Sequence, residues 1–190
     1  VTFNTLSEGT YENCTIRVTD SAGNTSDNLS VSTFTIDTTG PSLSQVTAVP
    51  SPSSYNTSSY TFSSNEAGTI TYSGDCSSST TAASASNNTI TFNALVDDTY
   101  SNCRVIVTDN ASNSSSALTV STFVIDTTAP TLSEVTAISP PATVNTPNYT
   151  FNTNEAGTIT YGGSCSSSNT TALSAGDKTI TFNALNDGTY

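Results

Sequence analysis

The feature that most restricts this chain is an internal repeat of 89 residues. Asn65-Glu66-Ala67-Gly68-Thr69-Ile70-Thr71-Tyr72 returns word for word at 154–161, and Ile36-Asp37-Thr38-Thr39 returns at 125–128, each 89 positions later. Cys14 maps onto Cys103, and Cys76 onto Cys165, with the same offset. Thr2-Phe3-Asn4 recurs at 91–93 and, after a one-residue insertion, at 181–183. A period this long exceeds the coil of a solenoid, whose units run roughly 20–45 residues, and suits a whole β-sandwich domain.

The boundaries follow from proline. Thr38-Thr39-Gly40-Pro41 and Thr127-Thr128-Ala129-Pro130 stand at equivalent places. Pro fixes its own φ and holds the preceding residue extended, so each joint is short and neighbouring domains abut. The expected organisation is the last part of one domain at 1–38, a complete domain at 39–127 and the first part of a third at 128–190. On this reading both ends fall inside a domain. The chain is then a stretch of a longer polymer, or a subunit whose partial domains complete each other between molecules.

Ser and Thr number 71 of 190 residues, and a composition this polar with a net charge of −12 can signal disorder. The periodicity argues for a fold. Runs such as Thr89-Ile90-Thr91-Phe92-Asn93 and Cys103-Arg104-Val105-Ile106-Val107 alternate polar with β-branched or aromatic residues. A period of two marks half-buried strands with Thr on the wet face. Gly, Asn, Asp, Ser and Pro fill the intervals as turn formers, and no helical stripe of useful length is found. The chain is expected to be all-β. In the middle domain the strands fall near 43–49, 60–64, 69–73, 89–95, 100–108 and 118–125, with a weakly marked one in 77–86. Leu118 and Val120 share one phase while Phe123 and Ile125 take the other, which suggests a β-bulge. The expected inward set is Tyr60, Phe62, Ile70, Tyr72, Ile90, Phe92, Val105, Val107, Val120 and Phe123.

Composition also narrows function. Fifteen acids against three bases repel phosphate backbones and anionic lipid surfaces, which argues against nucleic acid and membrane as partners. No apolar run approaches the roughly 20 residues that span a bilayer, and no leader segment is read. The chain has no His, so it has no imidazole base, no Ser-His triad and no His-ligated metal. Paired carboxylates could support glycoside hydrolysis, but these acids recur with the domain period and sit at turns, as scaffolding residues do. No catalytic residue is expected, and the chain is read as not an enzyme. Lys178 is the only Lys, so Lys–Asn cross-links are closed to the middle domain. Asn-x-Ser/Thr tripeptides such as those at Asn13, Asn56 and Asn148 occur about as often as chance gives.

Four motifs now stand in order and in register: the joint at 125–130, the Asn-Glu-Ala-Gly-Thr-Ile-Thr hairpin at 65–71, Leu185-Asn-Asp-Gly-Thr-Tyr190, and the turn Val18-Thr-Asp-Ser-Ala-Gly-Asn24. Together they resemble the bacterial immunoglobulin-like tandem repeats of giant extracellular adhesin and filament proteins. The resemblance covers the whole sequence. It implies tandem immunoglobulin-like β-sandwiches of about seven strands each, outside the cell or on the bacterial surface. Departures from antibody-type domains are clear: the Cys positions differ, Trp is absent, and Tyr100 precedes Cys103 by three residues where a tyrosine corner has two. In the second copy of the turn, Ser112 stands where Gly23 stood.

In such a fold the third and sixth strands are neighbours, which implies a Cys76–Cys103 disulfide and an oxidising compartment. Cys14 and Cys165 then pair outside this sequence or in another chain. The alternative is buried free thiols; two Cys per domain without His cannot complete a zinc shell. The same strand order delivers Asp37, Glu66 and Asp109 to one joint, the make-up of a calcium site, and Asp126 and Glu155 to the next. The alternative is solvated turn residues, the reading given to Asp97 and Asp98. No cofactor is required, and calcium is the candidate ion. Two functions remain in view. One is a structural repeat of a long extracellular rod or filament, partnered by copies of itself. The other is a glycan- or surface-binding adhesin module, although Trp, the commonest sugar platform, is missing.

Overall fold

In a computed structural model, residues 4–190 are described; Thr2 and Phe3 of the first Thr-Phe-Asn copy lie outside them. All regular structure among the described residues is β, and no helix is long and apolar enough to cross a membrane. The described residues fall into two compact units, one ending at Thr127 and one running Thr128–Tyr190.

The first unit begins with four short strands, β1 (Gly9–Tyr11), β2 (Thr15–Ile16), β3 (Leu29–Ser30) and β4 (Phe34–Ile36). Nine more follow: β5 (Leu43–Thr47), β6 (Ser59–Ser64), β7 (Gly68–Ser73), β8 (Ala82–Ala83), β9 (Asn87–Thr91), β10 (Asp98–Tyr100), β11 (Arg104–Thr108), β12 (Leu118–Thr119) and β13 (Phe123–Ile125). The second unit holds β14 (Leu132–Thr136), β15 (Asn148–Thr153), β16 (Gly157–Thr158), β17 (Thr171–Ala172) and β18 (Gly176–Thr181).

Within 39–127 the sheets run β5-β6-β9, β12-β11-β7-β8 and β10-β13, every strand pair antiparallel. Alternation decides which side chains meet between them. Tyr60, Phe62 and Ile90 from β6 and β9 share one buried cluster with Ile70, Val105 and Val107 from β7 and β11. Phe92, Val120 and Phe123 complete its centre. Tyr72 is the one member of the expected inward set that stays half-buried, because its hydroxyl reaches out to donate to the Thr80 carbonyl at 2.6 Å. The opposite face of the β5-β6-β9 sheet carries hydroxyl pairs across strands, Thr61 with Thr89 at 2.9 Å and Ser44 with Ser63 at 2.6 Å.

Two expected strands divide. The segment 118–125 is not one bulged strand: β12 pairs with β11 while β13 pairs with β10, so the change of phase is a change of sheet. The segment 100–108 divides in the same way into the end of β10 and β11. The irregularity in register lies instead in β5, between Gln45 and Thr47, and recurs in β14 between Glu134 and Thr136.

Cys76 and Cys103 form a buried disulfide, with Cα atoms 5.3 Å apart and a sequence separation of 27. It fastens the end of β7 to the start of β11. Closing a loop of that length contributes about 3–4 kcal/mol on the chain-entropy account. Cys14 and Cys165 are free and half-buried.

One core group is poorly served. The Tyr60 hydroxyl is buried without a hydrogen-bond partner, and desolvation pushes the phenol up to about 12. A buried orphan hydroxyl costs roughly 1–3 kcal/mol, while the ring alone fills the same space. Tyr60→Phe is therefore expected to raise stability by about 1 kcal/mol in urea unfolding, contrary to the usual loss from a core substitution.

Candidate functional site

Three carboxylates converge where β4 ends. Asp37 follows β4 directly, Glu66 sits in the tight turn between β6 and β7, and Asp109 follows β11. One carboxylate oxygen from each lies within 4.8 Å of the other two; Asp109 is buried, and Asp37 and Glu66 are half-buried. Asp109 is fixed by its own turn, a side-chain-capped loop of the kind Asp favours. Its Oδ1 accepts from the amides of Ala111 at 2.8 Å and Asn113 at 2.9 Å, and its Oδ2 from Asn113 Nδ2 at 3.1 Å. Burial pushes this carboxyl up, but the Asn113 and Ala111 donors, with the Ser112 amide, outweigh it and hold the group below the usual range. Ser112 completes the turn at φ 73, the left-handed conformation that its counterpart Gly23 takes at φ 90 without strain.

Asn113 also reaches Asp37: its Nδ2 donates to the Asp37 carbonyl at 3.1 Å. Glu66 is held by the Asn65 side chain, whose Nδ2 donates to Glu66 Oε1 at 3.2 Å while its Oδ1 accepts from the Ser42 amide at 2.6 Å. The Ser64 hydroxyl donates to the Glu66 carbonyl at 2.6 Å. The site is thus built wholly from hard oxygen donors on three separate turns. Calcium binds such oxygens at about 2.3–2.6 Å, so ligands on opposite sides of one ion stand about 5 Å apart. A spread within 4.8 Å fits one coordination shell.

Asp126 follows β13 in the first unit, and Glu155 lies between β15 and β16 in the second. The surroundings of Glu155 reproduce those of Glu66: Asn154 Nδ2 donates to Glu155 Oε1 at 3.2 Å, and Asn154 Oδ1 accepts from the Thr131 amide at 2.7 Å.

A second set of acids escaped the sequence reading. Asp97, expected only to shape a turn, accepts from the Thr127 amide at 2.9 Å and the Thr127 hydroxyl at 2.7 Å. Glu8 does the same work 89 residues earlier, taking the Thr38 hydroxyl at 2.6 Å, the Thr39 hydroxyl at 2.5 Å and the Thr38 amide at 3.1 Å. The signal was an acid ahead of each Thr-Tyr pair, at Glu8, Asp97 and Asp187. That Tyr is anchored too, Tyr100 to Val96 and Tyr11 to Ser7, each hydroxyl donating to a carbonyl four residues back at 3.0 and 2.9 Å.

Comparison with protein-family models, with curated proteins and with solved structures gave no match.

The Thr38 hydroxyl, then the Thr39 hydroxyl and the Thr38 amide, hold the Glu8 carboxyl below its ordinary value of 4.5. A depressed carboxyl contributes stability that is present above the unfolded value and lost as pH falls through the folded one. NMR is expected to show the Glu8 carboxyl and the Thr38 amide titrating together, with a midpoint below 4.5. Glu8→Gln removes the Thr38 titration. A Thr38 amide indifferent to pH in that window contradicts the clamp.

Proposed function

We propose that this chain is a structural repeat segment of a long extracellular rod or filament, made of tandem immunoglobulin-like sandwiches and stiffened at each joint by calcium. The observation that carries this reading is the meeting of Asp37, Glu66 and Asp109 beside the first Pro-containing joint. Three carboxylates that crowd one place repel one another, and a divalent cation turns that repulsion into attraction. Because the ligands come from three turns on both sides of the joint, binding would couple those turns mechanically. Asp37 brings the segment before the joint, while Glu66 and Asp109 belong to the sandwich after it.

Other features support the same reading. The buried Cys76–Cys103 bridge fits an oxidising environment, as expected outside the cell. The Glu8 and Asp97 clamps fix the threonines that lead into each proline. Three basic residues in 190 offer trypsin few cleavage sites, and a net charge of −12 keeps neighbouring rods apart in solution. The outer face of the β5-β6-β9 sheet carries small hydroxyls paired with one another, as suits a wall.

Thermal unfolding in calcium and in EDTA tests this. At a hundredfold excess over Kd, an ion that binds only the folded state adds about 2.7 kcal/mol, equivalent to a rise of several degrees in Tm. The expected result is such a rise, abolished by Asp37→Asn together with Glu66→Gln. Identical melting in the two conditions contradicts the calcium-stiffened joint.

A further inference from the structure

Six hydrogen bonds tie the segment that leads into 39–127 to the segment that leads out of it. Two are backbone bonds of a parallel bridge between Ser53 and Ile125. The Ser53 amide donates to the Val124 carbonyl, and the Asp126 amide donates to the Ser53 carbonyl, each at 2.9 Å. A third runs from the Val124 amide to Ser51 Oγ at 3.0 Å. The other three join Gln45 to Ser121. Gln45 Nε2 donates to Ser121 Oγ at 2.8 Å, and Gln45 Oε1 accepts from the Ser121 amide and from its hydroxyl, each at 3.1 Å. Ser53 is itself buried and braced, its hydroxyl 3.0 Å from that of Ser58.

The chain enters and leaves at opposite ends of β6. Leu43 opens β5 opposite Ser64, beside the turn that carries Glu66. At the exit Ile125 faces Asp98, and Asp97, between β9 and β10, grips Thr127. The Leu95 amide beside that grip donates to the carbonyl of Asn56, which precedes the other end of β6. A pull along the chain therefore draws 43–53 toward one end and 118–126 toward the other. Because 51–53 and 124–126 run parallel, their bonds lie across the pull and are loaded together, whereas a hairpin pulled apart at its open end gives way bond by bond.

Two routes lead to opening under such a pull. Either 43–53 leaves β6, or 118–126 leaves β11 and β10. The tie lies on both routes, while the pairing of β6 with β9 lies on neither. The Cys76–Cys103 bridge then limits both, since the load passes across it and never enters the loop 77–102.

We infer that this tie is a force-bearing clamp. It sets the load at which 39–127 opens, and the bridge stops the opened chain short and holds 77–102 back. The inference rests on the rod reading for the direction of pull and not on calcium. Cleaving the bridge exchanges a Cα separation of 5.3 Å for 27 peptide units of about 3.3–3.6 Å each, a gain of about 90 Å in contour length. A dithiol such as dithiothreitol does this by exchange. One of its thiolates attacks a sulfur of the bridge, and the other cysteine leaves as a thiolate and takes a proton. The reagent's second thiol then displaces the first cysteine, so the protein gains two thiols and the reagent becomes a cyclic disulfide. Cys76 is 4% exposed and Cys103 1%, so the reagent reaches the bridge only after the clamp has opened.

The 190-residue chain is held by tags at its two ends in an optical trap, in EDTA, with Cys14 and Cys165 alkylated. Forced opening reports the unfolding barrier under load. The expected result is an opening of 39–127 followed, in dithiothreitol, by a second gain of about 90 Å. Gln45→Ala with Ser51→Ala removes the side-chain bonds of the tie and should raise the opening rate at fixed force at least tenfold. Thr61→Ala with Thr89→Ala removes a hydroxyl pair between β6 and β9 and should change that rate less than twofold. If the first variant does not fold, Ser121→Ala, which removes the two hydroxyl bonds to Gln45, should raise the rate at least threefold. Three results overturn the inference: clamp variants that open within twofold of the unsubstituted chain, equal acceleration by the two double variants, or no second gain in dithiothreitol. Calcium enters none of these readings, so the clamp and the calcium-stiffened joint fail independently.

Discussion

The ladder between β7 and β11 is the interaction on which the rest of the core within 39–127 depends. It joins residues 69–73 to residues 104–108 through five consecutive antiparallel pairs. Those two strands carry Ile70, Val105 and Val107 into the core, in one cluster with Tyr60 and Phe62 of β6 and with Phe92 just beyond β9. Burial of that face supplies most of the driving force, and it is available only when both strands are present. The close approach is made possible by Gly68 and Gly74 and locked by Cys76–Cys103. In the second unit, among the described residues, β16 pairs with β17 alone, and Ile159 is half-buried where Ile70 is 2% exposed.

A protein with 9% charged residues places its charges with purpose. The sheet faces are wetted by hydroxyls that pair across strands, Thr61 with Thr89 and Thr150 with Thr179, so they need neither ions nor long side chains. Carboxylates gather instead at turns and joints, in two different conditions. Glu8 and Asp97 are satisfied by hydroxyl and amide donors of the joint threonines and act as clamps. Asp37, Glu66 and Asp109 are crowded against one another, and each is oriented by a neighbour of its own. Asn113 links the two arrangements, since it orders Asp109 and also holds the backbone of Asp37, one residue from the Glu8 clamp.

Much of this was legible in the sequence, for identifiable reasons. Alternation of apolar and polar residues reports which face of a strand is buried, and it located Tyr60, Phe62, Ile90 and Val107 in the core. It does not report which sheet a strand joins. The change of phase between Val120 and Phe123 therefore looked like a bulge when the chain was crossing from β11 to β10. Tyr72 fits the inward pattern but spends its hydroxyl on the Thr80 carbonyl, a partner that alternation cannot reveal. The acid clamp was hidden because Asp97 and Thr127 lie 30 residues apart and nothing in either local motif names the other. The meeting of Asp37, Glu66 and Asp109 needed strand order as well as composition, which only a whole-domain frame provides.

The most direct measurement of the organising role of β7 and β11 is hydrogen–deuterium exchange on the chain with its free thiols, Cys14 and Cys165, alkylated. If that ladder holds the domain together, the amides of 69–73 and 104–108 exchange slowest, as one cooperative unit. Those of 160–161, equivalent in sequence to 71–72 but outside any strand, exchange orders of magnitude faster. Equal protection of 71–72 and 160–161, or fast exchange throughout 104–108, would contradict the account.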